Sequence, residues 1–259
     1  MLTDAIKAIV QGRDLTREEA AAALEDIMTG HATHTQIGAF LAALHTKGET
    51  IDEITGLAST MRAKATRVPT TRRPLVDTCG TGGDHSGTFN ISTTAAFVVA
   101  GAGVAVAKHG NRSATSKCGS ADVLESLGVK IDASPEHVGK CIDEVGIGFL
   151  FARSLHSSMK HVAASRSELA GIPTVFNILG PLTNPAGACG QVMGCFNPEL
   201  LEPLARVLLN LGSRHAFLVA GSDGITYGSG AWLGHRQALP QPPPHPRSSF
   251  NRPLACFCF

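Results

Sequence analysis

The sequence predicts an α/β protein with a small helical domain at its N-terminus. Two patterns predict this class: helical spacing with capping motifs before residue 70, and short apolar runs alternating with helical segments after it. The composition agrees, because 43% of the 259 residues are hydrophobic and 17% are charged, as in ordered globular proteins. We predict a helical domain over residues 1–70, joined by part of 156–190, an α/β domain over 71–227 and a proline-rich tail over 228–259.

The first domain is predicted to contain four short helices between residues 3 and 66. Thr16 and Thr50 are each followed three residues later by Glu, the spacing of a capping box at a helix N-terminus. Gly30 and Gly48 lie where the second and third helices are expected to end.

Short apolar runs then alternate with helical segments, which favours a sheet covered by helices. We predict one further helix over 156–169 and a hydrophobic connection, bounded by prolines, over 176–185. Since loops that follow parallel strands meet at one sheet edge, the functional site is expected there. The predicted strands are 75–78, 104–107, 147–151 and 216–220, and the predicted helices between them lie near 92–102, 120–127, 135–144 and 199–211.

A glycine-rich loop follows the first predicted strand. Its sequence, Gly-Thr-Gly-Gly-Asp over residues 80–84, lets backbone N–H groups approach an anion closely. It matches neither the Walker loop nor the dinucleotide-binding fingerprint, and its alternative interpretation is an ordinary glycine turn. The next helix begins with further donors at its positive end, which favours a phosphorylated small molecule. These donors are Thr88, Asn90, Ser92 and Thr93.

A second polar segment follows the next predicted strand. Lys108 and Arg112 are expected in this loop, beside His109 and Asn111, where they offer cationic donors suited to pyrophosphate. The alternative is a solvated surface loop. If the two strands are parallel, both loops face one ligand.

Charge and cysteine usage exclude several classes of function. The formal net charge of +1 gives no global basic field for nucleic acid, so phosphate binding must be local. The seven cysteines contain no C-x-x-C pair, and no apolar run reaches membrane-spanning length. We expect a cytoplasmic protein with reduced thiols, and neither nucleic acid nor membrane as a partner.

The glycine-rich loop, the helix start at 90–93, the polar segment 108–112 and the connection 176–185 occur in the same order in anthranilate phosphoribosyltransferases. The chain resembles this family from about residue 3 to 224. The resemblance implies a helical domain and an α/β domain of the nucleoside-phosphorylase type, typically in a homodimer joined through the helical domains. It implies transfer of phosphoribose from phosphoribosyl pyrophosphate to anthranilate with Mg²⁺, giving N-(5-phosphoribosyl)anthranilate and pyrophosphate in tryptophan biosynthesis. No covalent intermediate and no catalytic side chain are implied, since positioning and electrostatics carry the rate.

The resemblance also assigns binding residues. Ser92 resembles a magnesium ligand, and Arg166 resembles a partner of the anthranilate carboxylate, although an arginine there also suits a helix surface. The residues that resemble anthranilate contacts are Gly80, Asn111 and Arg166. His109 either flanks the aromatic ring of the substrate or only forms hydrogen bonds within its own loop. Those that resemble phosphoribosyl pyrophosphate contacts are Gly80, Gly83, Asp84, Thr88, Asn90, Ser92, Thr93, Lys108 and Ser120.

The chain departs from the family pattern after about residue 224. The family has an Asp-Glu pair for magnesium pyrophosphate where this chain has Thr226 and Tyr227, which supply no carboxylate. The proline-rich tail loses helical and strand periodicity, and we interpret it as a shifted reading frame or a truncated gene. An incomplete sheet would expose an edge and apolar helix faces. The alternatives are a catalytically impaired product, a pyrimidine nucleoside phosphorylase of the same general fold, and a nucleic-acid-binding paralogue.

Overall fold

The computed structural model describes residues 1–83, 87–113 and 118–221. The predictions for Asp84, for residues 223–227 and for the tail over 228–259 lie outside these residues. Within them, an N-terminal helical bundle is followed by a parallel sheet with its covering helices, which confirms the predicted fold class. The domain boundaries themselves remain a prediction.

The bundle consists of four helices, as the capping motifs predict. The boxes at Thr16 and Thr50 both form, with the hydroxyls accepting from the backbone N–H of Glu19 at 3.2 Å and of Glu53 at 3.3 Å. A third box, in which Thr33 pairs with Gln36, was not predicted from the sequence. The helices are α1 Leu2–Val10, α2 Arg17–Met28, α3 His34–Lys47 and α4 Ile51–Lys64.

Loss of one cap tests how these helices begin. Replacing Thr50 by Ala is expected to lower the free energy of unfolding by about 1 kcal/mol, because the Glu53 amide loses its acceptor. Urea denaturation followed by circular dichroism measures the change. Thr46→Ala is the control, since that exposed hydroxyl bonds only within its own helix. Equal effects of the two substitutions would contradict the assigned cap.

The sheet has five strands in the order β3-β2-β1-β4-β5, and every neighbouring pair is parallel. In register, Leu75 pairs with Ala105 and Val76 with Gly190. β4 was not predicted from the sequence, because a strand that begins and ends with glycine and contains Gln191 shows no apolar run. The strands are β1 Leu75–Gly80, β2 Ala105–Gly110, β3 Ile147–Phe151, β4 Gly190–Gly194 and β5 His215–Val219.

The helices of the second half lie close to their predicted positions, with two differences. The helix predicted over 156–169 begins as a 3₁₀ turn that leads directly into an α-helix, and the predicted connection over 176–185 contains two short helical turns. The α-helices are α5 Ile91–Gly101, α6 Ser120–Ser126, α7 Pro135–Val145, α8 Ala152–Leu155, α9 Lys160–Glu168, α10 Phe176–Leu179 and α11 Leu201–Asn210, and the 3₁₀ turns are Ser157–Met159, Gly180–Leu182 and Pro198–Leu200.

One hydrophobic core joins the bundle to one face of the sheet. It contains Leu57 of α4, Leu204 of α11, Met193 of β4 and Leu218 of β5. In the part of the chain that the structure describes, β5 is an edge strand on which Phe217 is exposed. None of the described helices is long and apolar enough to cross a membrane.

Candidate active site

The two predicted loops begin side by side, because β1 and β2 are parallel neighbours. Gly82 and Gly83 have φ angles of +68° and +87°, a region that residues with a β-carbon avoid. Gly110 ends β2 where a β-carbon would collide with Ser120 Oγ and with the Phe149 ring. Glycine is therefore required both for the turn after β1 and for the close approach of α6 to β2.

The start of α5 connects the two loops. Asn90 is the N-cap residue, yet its side chain does not cap the helix and instead donates to the carbonyl oxygen of Cys118 at 3.1 Å. Thr78 of β1 donates to the carbonyl oxygen of Ser92 at 2.8 Å and so fixes the helix against the strand. Because the Asn90 side chain does not cap α5, the first-turn N–H groups of this helix are suited to an anion.

Lys108 and His109 lie within β2, so the prediction that they belong to the following loop is wrong. The strand continues to Gly110, beyond the predicted end at residue 107. Lys108 is only 3% exposed, and its Nζ donates to the carbonyl oxygen of Thr78 at 2.6 Å. Burial lowers the pKa of Lys108, and the Asp77 carboxylate opposes this shift. Its charge therefore lies beneath the glycine loop.

Asp77 links β1 to β2 and to Asn184, and it was not predicted as a functional residue. Its fully buried carboxylate accepts from the backbone N–H of His109 at 3.1 Å and from Asn184 Nδ2 at 2.8 Å. Asn184 also donates to the carbonyl oxygen of Ala107 at 2.9 Å. Burial raises the pKa of the Asp77 carboxyl, and the positive charge of Lys108 is the largest of the effects that lower it. The sequence did contain a signal for this role, because an aspartate inside a strand predicted to be buried needs a buried partner.

Two histidines lie beside the connection that follows α10. His109 Nδ1 is 3.2 Å from the carbonyl oxygen of Gly180, which can only accept, so the neutral ring carries its proton there. The ring of His156, which the sequence analysis missed, lies 5.2 Å away between centroids. Among the described residues, His109 Nε2 and both ring nitrogens of His156 lack hydrogen-bond partners. Burial is the main cause that lowers the pKa of His109 to about 3 and of His156 to about 4.

These shifts make stability depend on pH. A histidine whose pKa is lower in the folded state has no effect above its unfolded pKa near 6.5, but its burial destabilises the fold as the pH falls below that value. Between pH 7 and pH 5 the burial of each histidine is expected to lower the free energy of unfolding by about 2 kcal/mol. We expect the free energy of unfolding of His156→Gln, measured by urea denaturation at both pH values, to fall by about 2 kcal/mol less than that of the wild type. An unchanged loss would mean that His156 titrates normally in the folded protein.

Arg166 has a cationic group that pairs with no acidic side chain among the described residues. It lies on α9, where it is partly buried, and its Cζ is 5.4 Å from the centroid of the Phe176 ring. Burial lowers the pKa of its guanidinium, and no described residue forms an ion pair with it. A planar guanidinium beside an aromatic ring suits a planar aromatic carboxylate.

Arg112 was predicted to donate hydrogen bonds to pyrophosphate, but it has other partners in the structure. Its Nη1 forms ion pairs with Asp122 at 3.0 Å and Glu125 at 2.8 Å, so its charge is already matched. The carbonyl oxygen of Asn111 accepts from Ser120 Oγ at 3.2 Å. These contacts hold the loop after β2 against α6.

The remaining predicted residues occupy different environments. Thr88 is exposed, whereas Thr93 is buried and its hydroxyl lacks a hydrogen-bond partner among the described residues. Thr93 and Lys108 line a largely apolar cavity of about 270 Å³. Cys79 is buried, and burial raises the pKa of its thiol, so this side chain packs as a neutral group. The described residues contain no group of three or more His, Cys, Asp or Glu side chains suited to a metal ion.

This combination of helical bundle, parallel sheet and glycine loop defines a class of glycosyl transferases. Residues 3–65 match the "Glycosyl transferase family, helical bundle domain" and residues 72–231 the "Glycosyl transferase family, a/b domain".

Within that class, the chain belongs to the anthranilate phosphoribosyltransferase family, as its motifs indicate. It is 63% identical over 220 residues to the anthranilate phosphoribosyltransferase of Symbiobacterium thermophilum, covering 85% of this chain and 64% of that protein. It is 58% identical over 225 residues to that of Desulforamulus reducens, covering 87% of this chain and 65% of that protein. The chain thus spans about two thirds of the length of these relatives.

Solved structures of the same family match the fold. The enzyme from Thermus thermophilus has a TM-score of 0.82 at 49% identity, covering 89% of this chain and 68% of that one. The enzyme from Saccharomyces cerevisiae in complex with PRPP and Mg has a TM-score of 0.79 at 30% identity, covering 86% of this chain and 66% of that one.

Proposed function

We propose that this chain binds phosphoribosyl pyrophosphate and anthranilate and transfers the phosphoribosyl group to the anthranilate amine, releasing pyrophosphate in tryptophan biosynthesis. The observation that carries the choice of acceptor is the partly buried Arg166 guanidinium, which has no ion pair among the described residues and lies beside the Phe176 ring. Relatives with the name anthranilate phosphoribosyltransferase support the same reaction.

The donor is proposed to bind where β1 and β2 end. The backbone N–H groups of the glycine loop and the first turn of α5 approach its phosphates, and Lys108 adds positive charge beneath the loop. This proposal keeps all the predicted contacts, although Arg112 is better explained by its own ion pairs. The contacts are Gly80, Gly83, Asp84, Thr88, Asn90, Ser92, Thr93, Lys108 and Ser120.

The acceptor is proposed to bind between β2 and the connection after α10, with Gly80 and Asn111 at its edge. Arg166 pairs with the anthranilate carboxylate, and the neutral His109 flanks the ring. His109 Nε2, which has no hydrogen-bond partner among the described residues, is an acceptor suited to an N–H of the aromatic amine. Because its pKa is lowered to about 3, His109 orients the amine rather than removing its proton at neutral pH.

With the ligands that the described residues offer, magnesium would be held largely by the substrate. Among the described residues, the predicted ligand Ser92 offers a neutral hydroxyl at the start of α5, and no acidic cluster accompanies it. Mg²⁺ commonly retains waters and binds through substrate phosphates, so one hydroxyl is compatible with it. Bound in this way, the ion would neutralise charge on the departing pyrophosphate.

The chain's residues would act by position and electrostatics. Displacement at the sugar carbon places positive character on the ribose and negative charge on the leaving group. The backbone N–H groups and Lys108 would stabilise that negative charge, while Arg166 and His109 would hold the amine in line. We further propose a cytoplasmic homodimer joined through the helical bundle.

A fluorescence assay tests the proposed reaction. We expect anthranilate fluorescence to decrease only when phosphoribosyl pyrophosphate and Mg²⁺ are both present, with one pyrophosphate released for each anthranilate consumed. Binding of both substrates without turnover would favour the catalytically impaired alternative. Failure of anthranilate to bind in the presence of phosphoribosyl pyrophosphate would contradict the proposed acceptor.

A further inference from the structure

A second cavity, which is more polar than the first, lies at the opposite end of the strands from the candidate active site. It has a volume of about 310 Å³ and is lined by segments that precede β4 and β5, together with residues from the end of α4 and beyond. In a parallel sheet these segments lie at the amino ends of the strands, whereas the glycine loop follows a carboxyl end. The lining of this cavity therefore includes neither the glycine loop nor the start of α5.

The cavity concentrates positive charge. Arg62, Arg67 and Arg214 line it, and none of its lining residues in the described part of the chain is acidic. Arg67 and Arg214 are exposed and form no ion pair with a described residue. Three guanidinium groups around one concave space repel one another unless an anion binds between them.

Arg62 is held in place on the wall of this cavity. Its Nε donates to the carbonyl oxygen of Leu182 at 2.6 Å, and its Nη1 donates to that of Leu211 at 3.0 Å. These bonds engage two of its five N–H donors and leave Nη2 without a hydrogen bond to a described residue. A fixed guanidinium loses little conformational freedom when it binds an anion.

We propose that this cavity binds the phosphoryl group of a small molecule. Guanidinium forks match phosphate oxygens in bidentate geometry, and the Ser213 side chain in the same wall is a further donor. The ligand is either inorganic phosphate or a phosphate monoester, since both present the same oxygens. This site does not depend on the reaction proposed above.

A ligand in this cavity would join the helical bundle to the sheet. Arg62 belongs to the last turn of α4, whereas Arg214 directly precedes β5. Asn184 also lines the cavity and donates to the buried carboxylate of Asp77. An anion here would therefore contact residues that hold β1 in place.

Calorimetric titration of the full chain tests the site, with inorganic phosphate and glycerol 3-phosphate as probes in separate arms. We expect Arg67→Gln/Arg214→Gln to weaken binding of at least one probe more than tenfold. The control is Arg13→Gln/Arg206→Gln, which removes the same charge from two exposed arginines that pair with acids elsewhere.

Phosphate bound at the glycine loop would be equal in the two double variants, so their difference reports on the cavity. Binding of inorganic phosphate alone would support the free ion as ligand, and binding of glycerol 3-phosphate would support a monoester. Equal affinities in wild type and Arg67→Gln/Arg214→Gln, or an equal loss in the control, would overturn the proposal. Circular dichroism establishes that each variant is folded.

Discussion

Asp77→Ala is expected to lower the free energy of unfolding by about 3–5 kcal/mol, because it removes one partner of a buried charge network. Lys108 would retain a buried ammonium without the Asp77 charge that favours its protonated form. The backbone N–H of His109 and the amide of Asn184 would each lose an acceptor. These losses exceed the removal of an exposed ion pair, which typically costs about 1 kcal/mol or less.

Urea denaturation measured by circular dichroism tests this expectation. Asp132→Ala is the matched control, because its side chain is exposed and its loss should change stability by less than about 0.5 kcal/mol. Asp77→Asn keeps the shape of the side chain and should fall between the two. A small effect of Asp77→Ala, similar to that of Asp132→Ala, would show that the carboxylate does not hold β1 and β2 together.

Arg166→Gln is expected to weaken anthranilate binding by about 10–100-fold, the loss that accompanies removal of a hydrogen bond between charged groups. The side chain is partly buried, so water does not fully replace the lost contact. Binding of phosphoribosyl pyrophosphate should be unchanged, because the proposed donor site lies on different elements. Arg166→Lys should recover part of the affinity, since it keeps the charge but not the planar fork.

Calorimetry with anthranilate, in the presence of saturating phosphoribosyl pyrophosphate, measures this effect. Lys160→Gln is the control, because it removes one positive charge from an exposed position on the same helix. An equal loss in both variants would indicate a general charge effect. Unchanged affinity in Arg166→Gln would remove Arg166 from the acceptor site.

The sequence was most informative where the structure depends on local contacts. Capping boxes at Thr16 and Thr50 involve residues three positions apart, and both were predicted correctly. Apolar runs located four of the five described strands, but β4 lacks such a run because both its ends are glycine. Its pairing with β1, rather than its own composition, makes it a strand.

Contacts between distant segments could not be predicted in the same way. Asn184 is 107 positions from Asp77, and nothing in the local sequence pairs them. His156 was considered only as part of a helix, although folding places it beside His109. Lys108 was expected in a loop because the apolar run ends at residue 107. The Asp77 carboxylate that favours its buried charge lies on another strand and is visible only in the fold.

The central claim is that the loops after β1 and β2 bind phosphoribosyl pyrophosphate, and calorimetric titration with this compound tests it most directly. We predict saturable binding of one molecule per chain, stronger with Mg²⁺ and lost in Gly83→Val, whose φ of +87° a branched side chain does not tolerate. Gly12→Val introduces comparable backbone strain at φ +78° in the bundle and should leave binding unchanged. Absence of saturable binding with or without Mg²⁺, or an equal loss in both glycine variants, would contradict the claim.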